Sequence, residues 1–521
     1  MSSYSSAAVF ATLVSGSCAI TAAAISMEGP HHVHHPGCIH DERPDGGSSG
    51  STADFILNQT WGRTATDGSG LQRGDAMTIT WGFVQEGTNW IDGTSDLINF
   101  LDTNIGAGPG GSDLTQRPWF SSFEDSFERW GELSGLSYVY EPNDDGSNRS
   151  NSQFNGELGV RADVRIGGSF RDGQGGQQDV LASNFFPTSG GDMTLDTGNT
   201  SFYSNSSANF RPLRNVIMHE HGHGLGMSHI VSDSSRFLME PFIDTTFDGP
   251  QMDDIRALHR GYGDRLEKNG GNDSIAAATS LGLISDTVAG VGLDGGTGTR
   301  VEPSETDFVS IDGSSDTDVF SFDVTGGTLL DLTLTPLGVT YTQAPQAGPG
   351  QPPNPQTSFN TVDDNNLFFE LFASDGSTLL ATVSDVGAGL AEALQDFVLD
   401  QAGTYFARVR GTTDSIQLYS LVADAESVLL GDANRDGVVD LADFGILRAN
   451  FGLTGGFGDA NFNNDGVVDL TDFGILRSNF GNSSASDLAI LDAWVATIPE
   501  PTTNLFALAG IGLLAGRRRS A

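Results

Sequence analysis

Ten histidines occur in the 521-residue chain, and four of them fall within the stretch VIMHEHGHGLGMSHI, residues 216–230. His219 and His223 are four apart, so a helix sets both imidazoles on one face, within reach of a common ion. Glu220 adjoins that face and can touch a metal-bound water without being a ligand itself. Gly226 lets the backbone leave the helix sharply, and that turn can bring His229 round as a third nitrogen ligand. Three protein ligands leave one position open for water and substrate, as a single catalytic zinc requires. His221 is off the face shared by His219 and His223 and reads as a solvent or cleft residue. The bare H-E-x-x-H core is a weak signal, whereas the set with Gly226 and His229 is a specific one.

A second chemistry is written in carboxylates. Asp432, Asn434, Asp436, Asp440 and Asp443 occupy positions 1, 3, 5, 9 and 12 of a calcium loop, with Gly437 at position 6 and the carbonyl of Val438 at position 7. Asn461, Asn463, Asp465, Val467, Asp469 and Asp472 repeat the pattern 29 residues later, with Gly466 in register, so two calcium ions are expected. The plain alternative is an acidic turn without metal. A third candidate is Cys38, one of two cysteines and the only thiol left if a leader containing Cys18 is removed. A tethered thiolate can occupy the open position of a catalytic zinc, which makes Cys38 a candidate latency ligand. The competing reading is a histidine-rich tail that binds stray metal ions on its own.

The elements that must position these residues divide the chain into several folded units. Residues 1–26 read as a signal peptide, although Met1 to Ser6 contains no Lys or Arg, and 27–50 as a His-rich tail and candidate propeptide. Residues 51–265 alternate helices and strands and form an α+β catalytic domain. Within it Phe120, Phe123, Phe127, Trp130 and Leu133 recur at helical spacing, and a helix beginning near Leu213 carries the histidines. Residues 266–315 are poor in large apolar residues and read as a linker or loose edge. Short strands over 316–425 favour a β-sandwich, with the proline-rich insert Gln343 to Gln356 as an exposed loop. The duplicated loops lie in a small all-α repeat pair over 429–495, whose helices pack through Phe444, Phe473, Leu447 and Leu476. Residues 499–521 combine Pro499-Glu500-Pro501, a 15-residue uncharged stretch and three arginines. That stretch is short for a membrane span of about 20 residues and suits a transient anchor.

HEHGHGLGMSH resembles the HExGHxLGxxH signature of the matrixins, a branch of the metzincin metallopeptidases, and Phe237-Leu238-Met239-Glu240-Pro241 resembles their Met-turn. The resemblance implies Met239 as a hydrophobic floor beneath the zinc, and a substrate laid antiparallel to an edge strand near Ala182 to Pro187. It further implies a last helix at DDIRALHRGYG, residues 253–263. One departure stands out: matrixins hold a structural zinc with histidines, but the matching positions here are Ser183 and Thr194, and no histidine lies between 41 and 218. Asp192 and Asp196 remain as further calcium candidates, with surface or capping roles as the alternative. The duplicated loops resemble dockerins, which implies a cohesin-like partner. DVFSFDVTGG and AGTYFARVRG resemble the bacterial prepeptidase C-terminal domain, which implies an accessory or substrate-contacting role without a catalytic residue. The C-terminus resembles a PEP-CTERM sorting signal, which implies an exosortase-like processing enzyme and a cell-surface or extracellular destination.

The charge balance, 67 acidic against 25 basic residues for a net charge of −42, repels phosphate backbones and excludes nucleic acid as a partner. The functional expectation is therefore an exported zinc metalloendopeptidase acting on protein or peptide substrates, with Glu220 moving the proton. The rival is a surface structural or adhesive protein that retains an inactive protease module.

Overall fold

The computed structural model describes residues 55–91, 93–148, 156–173, 180–233, 236–296, 298–347, 352–481 and 485–498. The expected leader, the tail with Cys38 and the sorting segment lie outside these. The first sheet runs β2-β1-β3-β5-β4, from β1 (Met77–Phe83), β2 (Leu136–Tyr140), β3 (Val164–Ser169), β4 (Ala182–Asn184) and β5 (Met193–Asp196). The first four strands in that order are parallel, and β4 closes the edge antiparallel to β5. Four helices accompany it: α1 (Leu97–Asn104), α2 (Phe120–Glu132), α3 (Arg211–Gly224) and α4 (Met252–Tyr262). The aromatic stripe of α2 does what its spacing predicts. Phe120, Phe123, Phe127 and Trp130 are all buried, and Phe127 stacks on Trp81 of β1 with centroids 4.8 Å apart.

The second body is a β-sandwich of two five-stranded sheets. Its strands are β7 (Thr279–Leu283), β8 (Thr287–Val291), β9 (Val309–Ile311), β10 (Thr317–Val324), β11 (Thr328–Leu337), β14 (Leu367–Phe372), β15 (Leu379–Val383), β16 (Glu392–Leu399), β17 (Gly403–Gly411) and β18 (Gln417–Ser427). One sheet runs β8-β18-β11-β16 with β9 also on β18; the other runs β15-β14-β17-β10-β7. Residues 266–315, read from sequence as a linker or loose edge, thus supply edge strands, and Ile284 and Ile311 are fully buried. Their low apolar content goes with the part-exposed strands β7 and β8, whereas the three residues of β9 are all buried.

Between β11 and β14 the chain leaves the sandwich as β12 (Thr340–Pro345) and β13 (Thr357–Asn360). This hairpin adds to a strand of the first body, β6 (Ile230–Ser232), forming a three-stranded sheet β13-β12-β6 that joins the two bodies. The expectation of an exposed loop over 343–356 fails at its start: Gln343 is 3% exposed and Ala344 4% exposed. Proline at the end of β12 costs the ladder one N–H, which a three-residue pairing at a sheet terminus tolerates. The hydrophobic core of the first body also includes Val301, Phe308, Tyr341 and Leu418 from the sandwich side.

Two further helices, α5 (Leu441–Asn450) and α6 (Leu470–Asn479), follow the duplicated loops, and α7 (Ala485–Val495) lies beside them. Phe444 and Phe473 face each other at 6.2 Å, and Trp494 packs on both. The cluster is not a separate all-α body, because it shares its core with Leu329 and Val398 of the sandwich. No helix among the described residues is long and apolar enough to cross a membrane.

Candidate metal centre

Helix α3 starts with Pro212 in its first turn, where a missing N–H costs nothing, and presents His219, Glu220 and His223. At its far end Tyr262 Oη donates to Leu225 O at 2.8 Å and Trp61 Nε1 donates to Gly224 O at 2.8 Å, satisfying carbonyls that the helix leaves open. The chain then turns at Gly226, whose φ is +99°; a Cβ there would sit 2.5 Å from Gln59 O. Glycine is required on both counts. This turn returns His229 to the helix face.

The three histidines converge. His219 Nε2 and His223 Nε2 each lie 3.0 Å from His229 Nε2. Their other ring nitrogens are engaged outward: His219 Nδ1 meets Leu238 O at 2.6 Å, His223 Nδ1 meets Met227 O at 2.7 Å, and His229 Nδ1 meets Gln346 Oε1 at 2.8 Å. Each of those partners is an acceptor, so each Nδ1 carries the proton and each Nε2 points a lone pair at the others. Three lone pairs facing inward repel unless a cation sits among them, and three neutral imidazoles are the donor set zinc prefers. Burial holds His219 in the neutral form, lowering it to about 4. Glu220 is 1% exposed, neither carboxylate oxygen has a hydrogen-bond partner among the described residues, and burial raises it well above the usual carboxylate range. A buried carboxylate without partners beside such a donor set fits a metal-bound water.

Beneath the helix lies Met239, 2% exposed. A Cβ on Gly222 would fall 2.3 Å from Met239 Sδ, so glycine between the two helical histidines is what lets the methionine approach. The turn carrying Met239 is pinned by α4: the carboxylate of Asp254 accepts from Leu238 N at 2.8 Å, Met239 N at 3.1 Å and Gln251 N at 2.8 Å. Burial raises Asp254 to about 6 despite these bonds. Sequence reasoning placed this helix but missed Asp254, although an acid opening a helix just after the Met-turn was the available signal.

His221 is neither solvent-facing nor in a cleft. It is fully buried on the opposite side of α3, where Nε2 lies 2.8 Å from Tyr138 Oη and the ring packs edge-on against Phe127 at 4.7 Å. Burial lowers it to about 3. The α3 helix is covered on both faces, which helical spacing alone does not reveal.

At Thr194, one of the two positions singled out by the sequence comparison, Oγ1 accepts from Trp90 Nε1 at 2.9 Å. Asp196 accepts from Arg171 N, Asp172 N, Gly173 N and Gly198 N, the capping alternative, and Asp192 Oδ1 accepts from Arg165 N. In the duplicated loops Gly437 and Gly466 have φ of +86° and +87° at position 6. Asp432 accepts from Gly437 N and Asp436 N, while Asp443 accepts from Asn434 N and Asp440 N. Asp472 likewise accepts from Phe462 N and Asp469 N.

Among the described residues, two clusters bring three metal-binding side chains within 4.8 Å: the histidines, and Glu267 with Asp316 and Asp318. The second cluster, between the two bodies, was not anticipated, because its members straddle the segment read as a linker. Asp318 is fully buried, and burial with neighbouring carboxylates raises Glu267 to about 9 and Asp316 to about 7. The density of acids at 264, 267, 273, 312, 316 and 318 was the signal.

Residues 111–263 match the family model described as Matrixin, and residues 497–520 match the PEP-CTERM protein-sorting motif. The Matrixin match contains the three histidines, Glu220 and Met239. No curated protein matches the chain. Among solved structures, the pre-peptidase C-terminal domain of a collagenase from Bacillus anthracis is 16% identical, with 28% of this chain and 93% of that chain covered, at a TM-score of 0.16. Myroilysin is 13% identical, with 37% of this chain covered and 54% of its own, also at 0.16.

Proposed function

We propose that this chain, a zinc-dependent metalloendopeptidase, acts at the cell surface or outside the cell on protein substrates laid extended along the edge strand β4. The observation that carries the catalytic reading is the convergence of three Nε2 lone pairs beside a buried, unpartnered carboxylate. A zinc ion held by His219, His223 and His229 would polarise a scissile carbonyl and acidify a water there. Glu220, buried beside the three histidines, would take that proton and pass it to the leaving amine. Met239 supports the ligands from below, and β4 offers backbone groups for an antiparallel substrate.

The finer assignments rest on resemblance and pattern. Residues 51–265 serve as the catalytic domain, 316–425 as a prepeptidase-like accessory sandwich, and 429–495 as dockerin-like loops binding two calcium ions and a cohesin-like partner. Residues 1–26 direct export, and 499–521 are handled by an exosortase-like enzyme after transient anchoring. Cys38 serves as a latency ligand of the zinc. Supporting the calcium reading are the glycine at position 6 of both loops and the acids at positions 1, 5, 9 and 12 of the first.

The test is hydrolysis of a mixed peptide library by the wild-type chain and by Glu220→Ala, with metal content measured in parallel. We expect one zinc per chain in both, and turnover reduced by at least about a thousandfold in the variant. Equal turnover would sink the mechanism.

A further inference from the structure

We propose that Gln346, delivered by the sandwich, positions His229, so that the zinc centre is completed by a domain that follows it in the chain. The inference rests on reading the three histidines as the zinc site. His219 and His223 have their Nδ1 protons held by backbone carbonyls of their own domain, Leu238 O and Met227 O. His229 differs: its Nδ1 meets a side-chain amide oxygen 117 residues away in sequence. The third ligand leaves the helix and stands on the chain running into β6, so its ring orientation depends on that amide.

The delivery is built into strand register. In the β12–β6 ladder Gln343 faces Ser232, Ala344 faces Val231 and Pro345 faces Ile230. One step further sets Gln346 opposite His229, and Gln346 N reaches His229 O at 3.4 Å. A slip of one residue would turn Gln346 to the other face of the strand. Several contacts fix the register. Tyr341 Oη donates to Asp253 of α4, and its ring packs against Phe237 at 5.0 Å. Asp233 N donates to Thr342 O at 2.9 Å, and Asn354 Nδ2 donates to Pro345 O at 3.0 Å.

An acceptor on Nδ1 locks the tautomer that leaves Nε2 free for metal and raises its basicity; loss of such a partner typically weakens metal binding roughly 10- to 100-fold. Gln346 therefore acts through His229 and is a positioning residue. The proline-rich insert, expected as an exposed loop, and the sandwich, expected to supply no catalytic residue, would both gain a positioning role at the zinc.

The test uses the full chain with Gln346→Leu and Gln346→Glu. Zinc affinity is read by competition with a chromophoric chelator, unfolding of the zinc-free form by its melting temperature, and catalysis as separate kcat and KM. For Gln346→Leu we expect zinc affinity roughly 10- to 100-fold weaker. Its zinc-free form should lose no more stability than one buried hydrogen bond supplies and should still unfold cooperatively. Gln346→Glu keeps an acceptor and should recover most of the affinity. Zinc binding in Gln346→Leu as tight as in wild type would overturn the proposal, as would equal weakening in Gln346→Glu or a zinc-free form that no longer unfolds cooperatively. A wild-type chain that binds no zinc would instead refute the histidine site itself.

Discussion

At the residue scale, the centre works by elimination of alternatives. Each imidazole has one nitrogen committed to an outward acceptor, so the other has nowhere to point except at the metal position. The sequence made the ligands legible, because four-residue spacing plus a glycine turn is a geometric statement. It did not make His221 legible, because spacing says which residues share a face and not what covers the opposite one; there Tyr138 and Phe127 close over it. Tyr138→Phe should therefore destabilise the protein by about 1–3 kcal/mol in urea unfolding, by leaving a buried ring nitrogen without its bond. Zinc content should stay at one per chain, and a loss of zinc would make His221 a ligand after all. Gly222→Ala places a methyl 2.3 Å from Met239 Sδ, so the methionine or the helix must move. We expect a loss of about 1–3 kcal/mol and reduced kcat. An unchanged urea midpoint would show that Met239 does not press on the helix.

At the element scale, the Met-turn has little structure of its own and borrows rigidity from the start of α4. Asp254 accepts three backbone N–H groups, two of them from the turn. Asp254→Ala leaves three buried donors unmet at about 1–3 kcal/mol each, so a loss of at least about 3 kcal/mol is expected. Chemical denaturation of the zinc-loaded protein checks it; a loss under about 1 kcal/mol would mean that water or relaxation replaces the carboxylate. The long elements were readable from pattern: the aromatic period of α2 and the alternation of the sandwich strands. The short ones were not. β6 has three residues and β12 ends in proline, so neither carries a period, and their pairing exists because two domains meet there. Strands β7 and β8 escaped notice for a related reason, since part-exposed strands need fewer apolar residues than buried ones.

At the scale of the whole molecule, the catalytic body is not self-contained. Val301, Phe308, Tyr341 and Leu418 complete its core, and Arg256, 1% exposed, pairs with Asp364 of the sandwich at 2.5 Å. A fragment of residues 51–265 should therefore aggregate or bind an apolar dye, whereas 51–498 should unfold cooperatively; a well-folded short fragment would contradict the shared core. The buried acids at the same junction set a pH dependence. Burial, with neighbouring carboxylates, pushes Asp264 and Asp316 up to about 7 and Glu267 up to about 9. The folded state thus holds these protons more tightly, and their contribution is complete below about pH 4 and lost as pH rises through 7 to 9. The buried histidines, lowered to about 3 to 4, are neutral in both states above about pH 7 and add no slope there. Melting temperature should fall between pH 7 and 9 in buffer without added divalent ions, and a flat or rising profile would count against the junction. The duplicated loops join the same assembly: Asn464 pairs with both backbone groups of Val398, and Arg435 reaches Asp396. The joining sheet β13-β12-β6 also imposes an order in time. A nascent chain that has emerged only as far as the Met-turn already carries all three histidines, but Gln346 is still 117 residues behind His229. On the proposed role of Gln346, a chain still being made would hold zinc less tightly until the hairpin β12–β13 has followed.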